Sequence, residues 1–197
     1  MHDYKSHHTG LYVYQEGMAK KRTNEVCSFI LDYITHYVSQ DFTDLYLYLD
    51  GCVGQHTKHS MIHMCLGLVQ NETFKNIVHS YPVRVHSFLP CDRDFRLLKK
   101  KIKTCDRIYT PKEYVSLFVH IKMVETENIL DLNTWWPHFF MKNCMALEET
   151  ALDCKVNFTP SSFKEFRCSA AMPGVVKALP FIDGLVTYTF PFWPSLP

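Results

Sequence analysis

The chain has 197 residues, 47% of them hydrophobic and 21% charged, and its formal net charge is +1. This length suits one folded domain with a substantial core. The balanced charge excludes a partner recognised by global charge alone, so any nucleic-acid contact must be a local patch. No apolar run reaches the ~20 residues of a membrane span, and the N-terminus lacks the apolar core of a signal peptide. We therefore expect a nuclear or cytoplasmic protein that is not secreted and has no membrane partner.

The first predicted elements alternate between strand and helix. Leu11–Tyr14 is short and rich in aromatic and β-branched residues, which is typical of a strand. Apolar residues then recur at helical spacing from Glu25 to about Ser39, with Asn24 as the helix-capping residue. Leu45–Leu49 alternates leucine and tyrosine and is apolar on both faces, which predicts a strand buried between helices.

The middle of the chain continues this alternation. Its predicted segments are a helix at Lys58–Gln70 that continues through Phe74 to His79, a strand at Pro82–His86, a helix at Phe95–Lys103, and a helix from Pro111 to about Val124 with Thr110 as its cap. A further amphipathic stretch follows at Trp135–Met145.

The texture of the sequence changes near Cys154, where short β-like runs are broken by proline and glycine. We therefore divide the chain into an α/β core at residues 1–150, with a mixed sheet flanked by helices, and a small β-rich C-terminal appendage at residues 151–197.

Carboxylates follow two of the predicted strands. Asp50 follows the Leu45–Leu49 run, His86 ends the Pro82–His86 run, and Asp92 and Asp94 lie between that run and the next helix. Acids at the same end of neighbouring strands can hold a divalent metal through oxygen, so Asp50, Asp92 and Asp94 are candidate ligands of Mg²⁺ or Mn²⁺. His86 is a candidate to assist catalysis. Each feature also has a simpler explanation: Asp50 with Gly51 makes a turn, Asp92 stabilises a helix N-terminus, and His86 is a buried, hydrogen-bonded histidine.

Basic residues surround the second group of acids. Lys and Arg on one helix suit a phosphate backbone, although a solvated helix face would carry the same residues. The predicted nucleic-acid contacts are Gln55, Lys58, Arg93, Lys99, Lys100, Lys101 and Lys103.

Four segments carry a resemblance to a known family: LYLYLDGCVGQHTKHSMI, YPVRVHSFLPCDRDF, RIYTPKEY and NEVCSFILDYI. They resemble motifs of transposon-derived animal proteins of unknown function, and the likeness runs from about Leu11 to Phe192. The resemblance implies an RNase-H-like core of the DDE transposase or integrase type. By this likeness Asp50 matches the second catalytic acid and Asp92 the third, with Asp94 as the alternative.

The chain also departs from the family pattern. The first catalytic acid would lie on a strand upstream of Met1, so we expect a core that lacks its first strand and self-associates through the exposed sheet edge. Val85 and Arg96 replace glycines of the pattern, and asparagines after Gln55 are lost. The resemblance thus implies a catalytically impaired nuclease or transposase domain that acts in DNA binding. An active Mg²⁺-dependent nuclease, and a protein-interaction module or gene fragment, remain the alternatives.

Overall fold

The computed structural model describes residues 1–7, 9–13, 23–49, 56–82, 89–105, 107–116, 121–123 and 158–192. The fold is α/β. In chain order its elements are β1 (Leu11–Val13), α1 (Thr23–Tyr37), β2 (Asp44–Tyr48), α2 (His56–Gln70), β3 (Asn76–Ser80), α3 (Pro90–Lys103), α4 (Pro111–Ser116), β4 (Ile121–Met123), a short 3-10 turn (Pro160–Ser162), β5 (Glu165–Ser169), β6 (Met172–Leu179) and β7 (Tyr188–Pro191).

The main sheet is mixed and has five strands in the order β2-β3-β5-β6-β7. β2 and β3 run parallel, with α2 as the helix in the connection between them. The remaining neighbours are antiparallel. β1 and β4 form a separate parallel pair in which Leu11 lies opposite Ile121.

The core lies between one face of this sheet and the helices α1 and α2. Alternate residues of the strands point to it, so Ile77, Phe166, Val176 and Phe190 are all fully buried. From the helix side Met61, Ile62 and Cys65 of α2 are equally buried. No helix in the described part of the chain is long and apolar enough to cross a membrane.

The C-terminal region is β-rich, as the sequence predicts, but it is not an appendage to the described sheet. β5 pairs directly with β3, with Ser80 opposite Glu165 and Asn76 opposite Ser169. The C-terminal strands therefore complete the sheet of the first half. The expected boundary at residues 150 and 151 lies outside the described residues.

Two helices end earlier in the chain than the sequence predicts. The helix at Lys58–Gln70 does not continue to His79, because Glu72 adopts a positive φ of 57° in a turn and the chain enters β3 at Asn76. The helix that begins at Pro111 ends at Ser116, well short of Val124, and Ile121–Met123 pairs with β1.

The position of one strand also differs from the prediction. The segment at Leu45–Leu49 is a strand, but it occupies an edge of the sheet, with Tyr46 and Tyr48 exposed, and is not buried between helices. A strand lies at Asn76–Ser80, where the end of a helix is predicted, whereas all but the first residue of the strand expected at Pro82–His86 lies outside the described residues, as does Trp135–Met145.

Candidate nucleic-acid interface

The ends of β2 and β3 provide the scaffold for the predicted acids. Tyr48 and Ser80 are register partners at the carboxyl ends of these parallel strands, and the Leu49 N–H donates to the Ser80 carbonyl at 3.1 Å. The segments that follow both strands therefore leave the sheet at the same end, which is where ligands bind in open α/β sheets. Asp50, Gln55 and His86 follow these strand ends but lie outside the described residues.

Asp92 lies in the first turn of α3. Pro90 opens this helix, since its ring fixes a helical φ and it lacks the N–H that the first turn leaves unpaired. The Asp92 side chain is exposed and makes no hydrogen bond or ion pair with the described residues. Its negative charge is favourable at this position because the helix dipole is positive there. A carboxylate in this position is open to a ligand.

Asp94 has a structural role. Its Oδ2 accepts a hydrogen bond of 2.8 Å from the Thr9 hydroxyl and lies 3.6 Å from Nδ1 of His2. Nδ1 of His2 also lies 2.7 Å from Oγ1 of Thr9. Arg93 adds a weaker contact, with its Nε 4.0 Å from Asp94 Oδ1. The Asp94 carboxylate therefore joins α3 to the N-terminal segment.

The described residues by themselves do not fit a magnesium site. No group of three or more histidine, cysteine or acidic side chains among them is arranged to hold a metal ion. Asp92 offers one exposed carboxylate, and the Asp94 carboxylate is already engaged by Thr9. Hard cations need several oxygen ligands, so Asp92 and Asp94 alone are too few.

The basic residues of α3 form a continuous stripe. Arg93, Arg96, Lys100 and Lys103 recur every three or four residues, which places them on one face of the helix, and Lys99 lies beside them. All five side chains are exposed, as is Lys101, which lies on another side of the helix. The opposite side contains Leu98, which is buried. We call the five residues Arg93, Arg96, Lys99, Lys100 and Lys103 the basic stripe.

The stripe concentrates positive charge in one place. α3 contains six cationic side chains and two carboxylates, whereas the whole chain has a net charge of +1. Basic residues near a helix C-terminus also stabilise the helix against its dipole, so part of this charge has a structural role. Lys58, the other predicted lysine, lies in α2, and its side chain is not among those described.

Comparison with known families identifies the domain. The model of the family described as "Domain of unknown function (DUF7869)" matches residues 3–159. The chain belongs to this DUF7869 family. The match includes every element from β1 to β4, and so includes the basic stripe, whereas β5, β6 and β7 lie after it. No curated protein and no solved structure gives a significant match.

One polar group at the strand ends escaped the sequence analysis. Glu165 lies just after the DUF7869 match, directly opposite Ser80, and its side chain is 1% exposed. Its Oε1 accepts a 2.6 Å bond from Nε of Arg167, and its Oε2 accepts from the Ser80 hydroxyl and the Asp183 N–H. The sequence signal is an acid and an arginine two residues apart, which share one face of a strand. This local pattern does not predict that Glu165 is buried, because its burial depends on pairing with β3, which is distant in the sequence.

Proposed function

We propose that the chain is a nucleic-acid-binding domain, descended from an RNase-H-like nuclease or transposase, whose Mg²⁺-dependent activity is impaired. The observation that supports this proposal is the exposed basic stripe on α3. DNA is the proposed partner, and the nucleus or cytoplasm is the proposed location.

The stripe has the properties that phosphate binding requires. Its side chains are long, cationic and exposed, and their spacing of three or four residues along one helix matches a linear anionic ligand. A chain with a net charge of only +1 would not attract nucleic acid through its overall field. Binding should therefore depend on this one helix and weaken as salt increases.

Salt-dependent DNA affinity tests the proposal, measured by fluorescence anisotropy with a labelled duplex. Removal of two phosphate contacts by Lys100→Ala with Lys103→Ala should lower the slope of log affinity against log salt by about 2, since each contact contributes about 0.9. Lys75→Ala is the matched control because this exposed lysine lies outside α3. A double variant with the wild-type slope would show that α3 is not the binding surface.

Impaired cleavage is the second part of the proposal. A two-metal site needs several carboxylates in fixed positions, and Asp94 is engaged by Thr9. The position of the β2 and β3 ends at one side of the sheet supports the alternative of an active nuclease that uses Asp50. A supercoiled-plasmid nicking assay with Mg²⁺ or Mn²⁺ separates the two. We expect the wild type to nick no faster than Asp50→Ala, and Asp50-dependent nicking would establish the active enzyme.

A further inference from the structure

The two edges of the five-stranded sheet differ in how well they are protected. β7 ends at Pro191, and proline is one of the devices that prevent an edge strand from pairing further. β2 contains no proline, glycine or lysine within Asp44–Tyr48 and pairs with no strand on its outer side among the described residues. Its side chains Tyr46 and Tyr48 are 63% and 46% exposed. Within the described part of the chain, β2 is thus an open edge of high strand propensity.

The hydrogen bonds of β2 show which of its backbone groups are open. The Leu49 N–H donates to Ser80, and the Thr43 carbonyl accepts from Asn76, so the odd-numbered residues direct their N–H and C=O groups toward β3. Because these groups alternate along a strand, those of Asp44, Tyr46 and Tyr48 point away from β3. Three residues therefore present a donor and an acceptor each at the open edge.

We propose that β2 pairs with β2 of a second copy of this chain, antiparallel and centred on Tyr46. In this register Tyr46 faces Tyr46 of the other copy, and Asp44 faces Tyr48. The three outward residues then exchange about six backbone hydrogen bonds across the two-fold axis. The result is a continuous ten-stranded sheet.

The side chains favour this register on both faces. Leu45 and Leu47, which are only partly buried at the margin of the core, meet each other across the axis and lose their contact with water. Tyr46 packs against Tyr46 of the second copy on the sheet face opposite the core, as aromatic cross-strand pairs do. Parallel pairing in register would instead set Asp44 against Asp44, which like-charge repulsion disfavours. The strand's one charge therefore selects the antiparallel arrangement.

The contact is short, so we expect a weak dimer. Five residues a side form an interface smaller than the standard size of stable complexes, so we expect a dissociation constant no tighter than the micromolar range. The proposal is independent of DNA binding, because the basic stripe is on α3 and not on β2.

Sedimentation equilibrium over a concentration series is the primary test. Tyr46→Pro removes the central outward N–H and leaves the bonds to β3 intact, so it should weaken dimerisation at least tenfold. Tyr46→Thr is the matched control, since it keeps the N–H and the strand propensity; it should still dimerise. Equal far-UV circular dichroism and cooperative thermal melting would show that both variants are folded.

A charge-exchange experiment provides a test that does not use proline. Tyr46→Lys and Tyr46→Glu should each be monomeric, because the two-fold axis sets like charges opposite each other. Their mixture should form a heterodimer. A wild-type chain that remains monomeric at all concentrations overturns the proposal and leaves the edge to a strand of another protein. A dimer that Tyr46→Pro leaves unchanged, or two charge variants that fail to combine, overturns it as well.

Discussion

Thr9 donates a hydrogen bond of 2.8 Å to the Asp94 carboxylate and so joins the N-terminal segment to α3, 85 residues further along the chain. Asp92, two residues earlier in the same helix turn, has no such partner among the described residues and is exposed. Two acids that look equivalent in the sequence thus have different environments, and substitution should distinguish them.

Replacement of Asp94 should destabilise the fold far more than replacement of Asp92. Asp94→Ala removes the charge-assisted hydrogen bond of the Thr9 hydroxyl, which keeps Nδ1 of His2 as a partner, so we expect a loss of about 1–3 kcal/mol in the free energy of unfolding. Asp92→Ala affects only the helix N-terminus and should cost about 0.5 kcal/mol. Urea denaturation measures both. Thr9→Val should add little to Asp94→Ala, and full additivity of the two losses would contradict a direct bond.

The ion pair between the buried Glu165 and the exposed Arg167 should respond asymmetrically to mutation. Arg167→Ala leaves a carboxylate that is 1% exposed without its cation, so we expect a loss of about 3–5 kcal/mol. Glu165→Ala should cost less, because the Arg167 side chain is 43% exposed and can turn to water. Guanidinium denaturation gives the comparison. If Glu165→Ala proves the more harmful change, the pair is not held by the cost of burying the carboxylate.

The stability of the fold should decrease in mild acid because of His63. Burial lowers its pKa from 6.5 to about 4, since the charged imidazolium is penalised there, and His59 adds repulsion. Between these two values the unfolded chain binds the extra proton, so the free energy of unfolding falls as the pH is lowered from about 6.5 to about 4. We expect a fall of about 2 kcal/mol, less than full burial would give, because the ring is partly exposed.

Urea denaturation across this pH range, with two histidine variants, checks the assignment. His63→Phe keeps a ring next to Phe192, whose ring centroid lies 5.5 Å from that of His63, and should remove most of the pH dependence. The exposed His36 is the control, and His36→Ala should retain the fall. A fall that persists in His63→Phe would assign the acid sensitivity to another group.

Gly10 should tolerate no side chain without adjustment of its neighbours. A Cβ at this position would lie 3.1 Å and 3.2 Å from two ring carbons of Tyr33, which is closer than ordinary contact. We expect Gly10→Ala to cost about 1–3 kcal/mol, as overpacking does. In a Tyr33→Leu background the added methyl group no longer meets the Tyr33 ring, and a ring carbon of Tyr12 at 3.9 Å is in ordinary contact, so the extra cost should shrink. Thermal melting of the wild type, Gly10→Ala, Tyr33→Leu and the double variant completes a double-mutant cycle. If Gly10→Ala is as destabilising in the Tyr33→Leu background as in the wild type, the clash with Tyr33 is ruled out.

Much of the local structure could be predicted from the sequence. The helix at α1, most of α2 and α3, and the strands β1 and β2 follow from apolar spacing over short ranges. The basic stripe is also readable, because it lies on one helix and its spacing is helical. The predicted end of α2 was wrong, since Glu72 has a positive φ in the turn that leads into β3, and the apolar spacing of the helix does not predict this turn.

The surroundings of each acidic side chain could not be predicted from the sequence. Asp92 and Asp94 have similar sequence neighbours, yet only Asp94 meets Thr9. Glu165 alternates with the apolar Phe166 and Cys168, a pattern that places it on the polar face of a half-buried strand, yet its pairing with Ser80 across 85 residues buries it. Burial and partnership depend on segments far apart in the chain, which short-range patterns do not specify.

By itself, the sequence determined the alternation of helix and strand and the concentration of positive charge on α3, because both depend on residues within a few turns of each other. Only the tertiary structure decided that β2 is an edge, that β5–β7 complete the sheet of the first half, and that Asp94 and Glu165 have structural partners. These properties arise when distant strands pair and bring selected polar groups out of water. Pairing order in a sheet is a property of the whole chain.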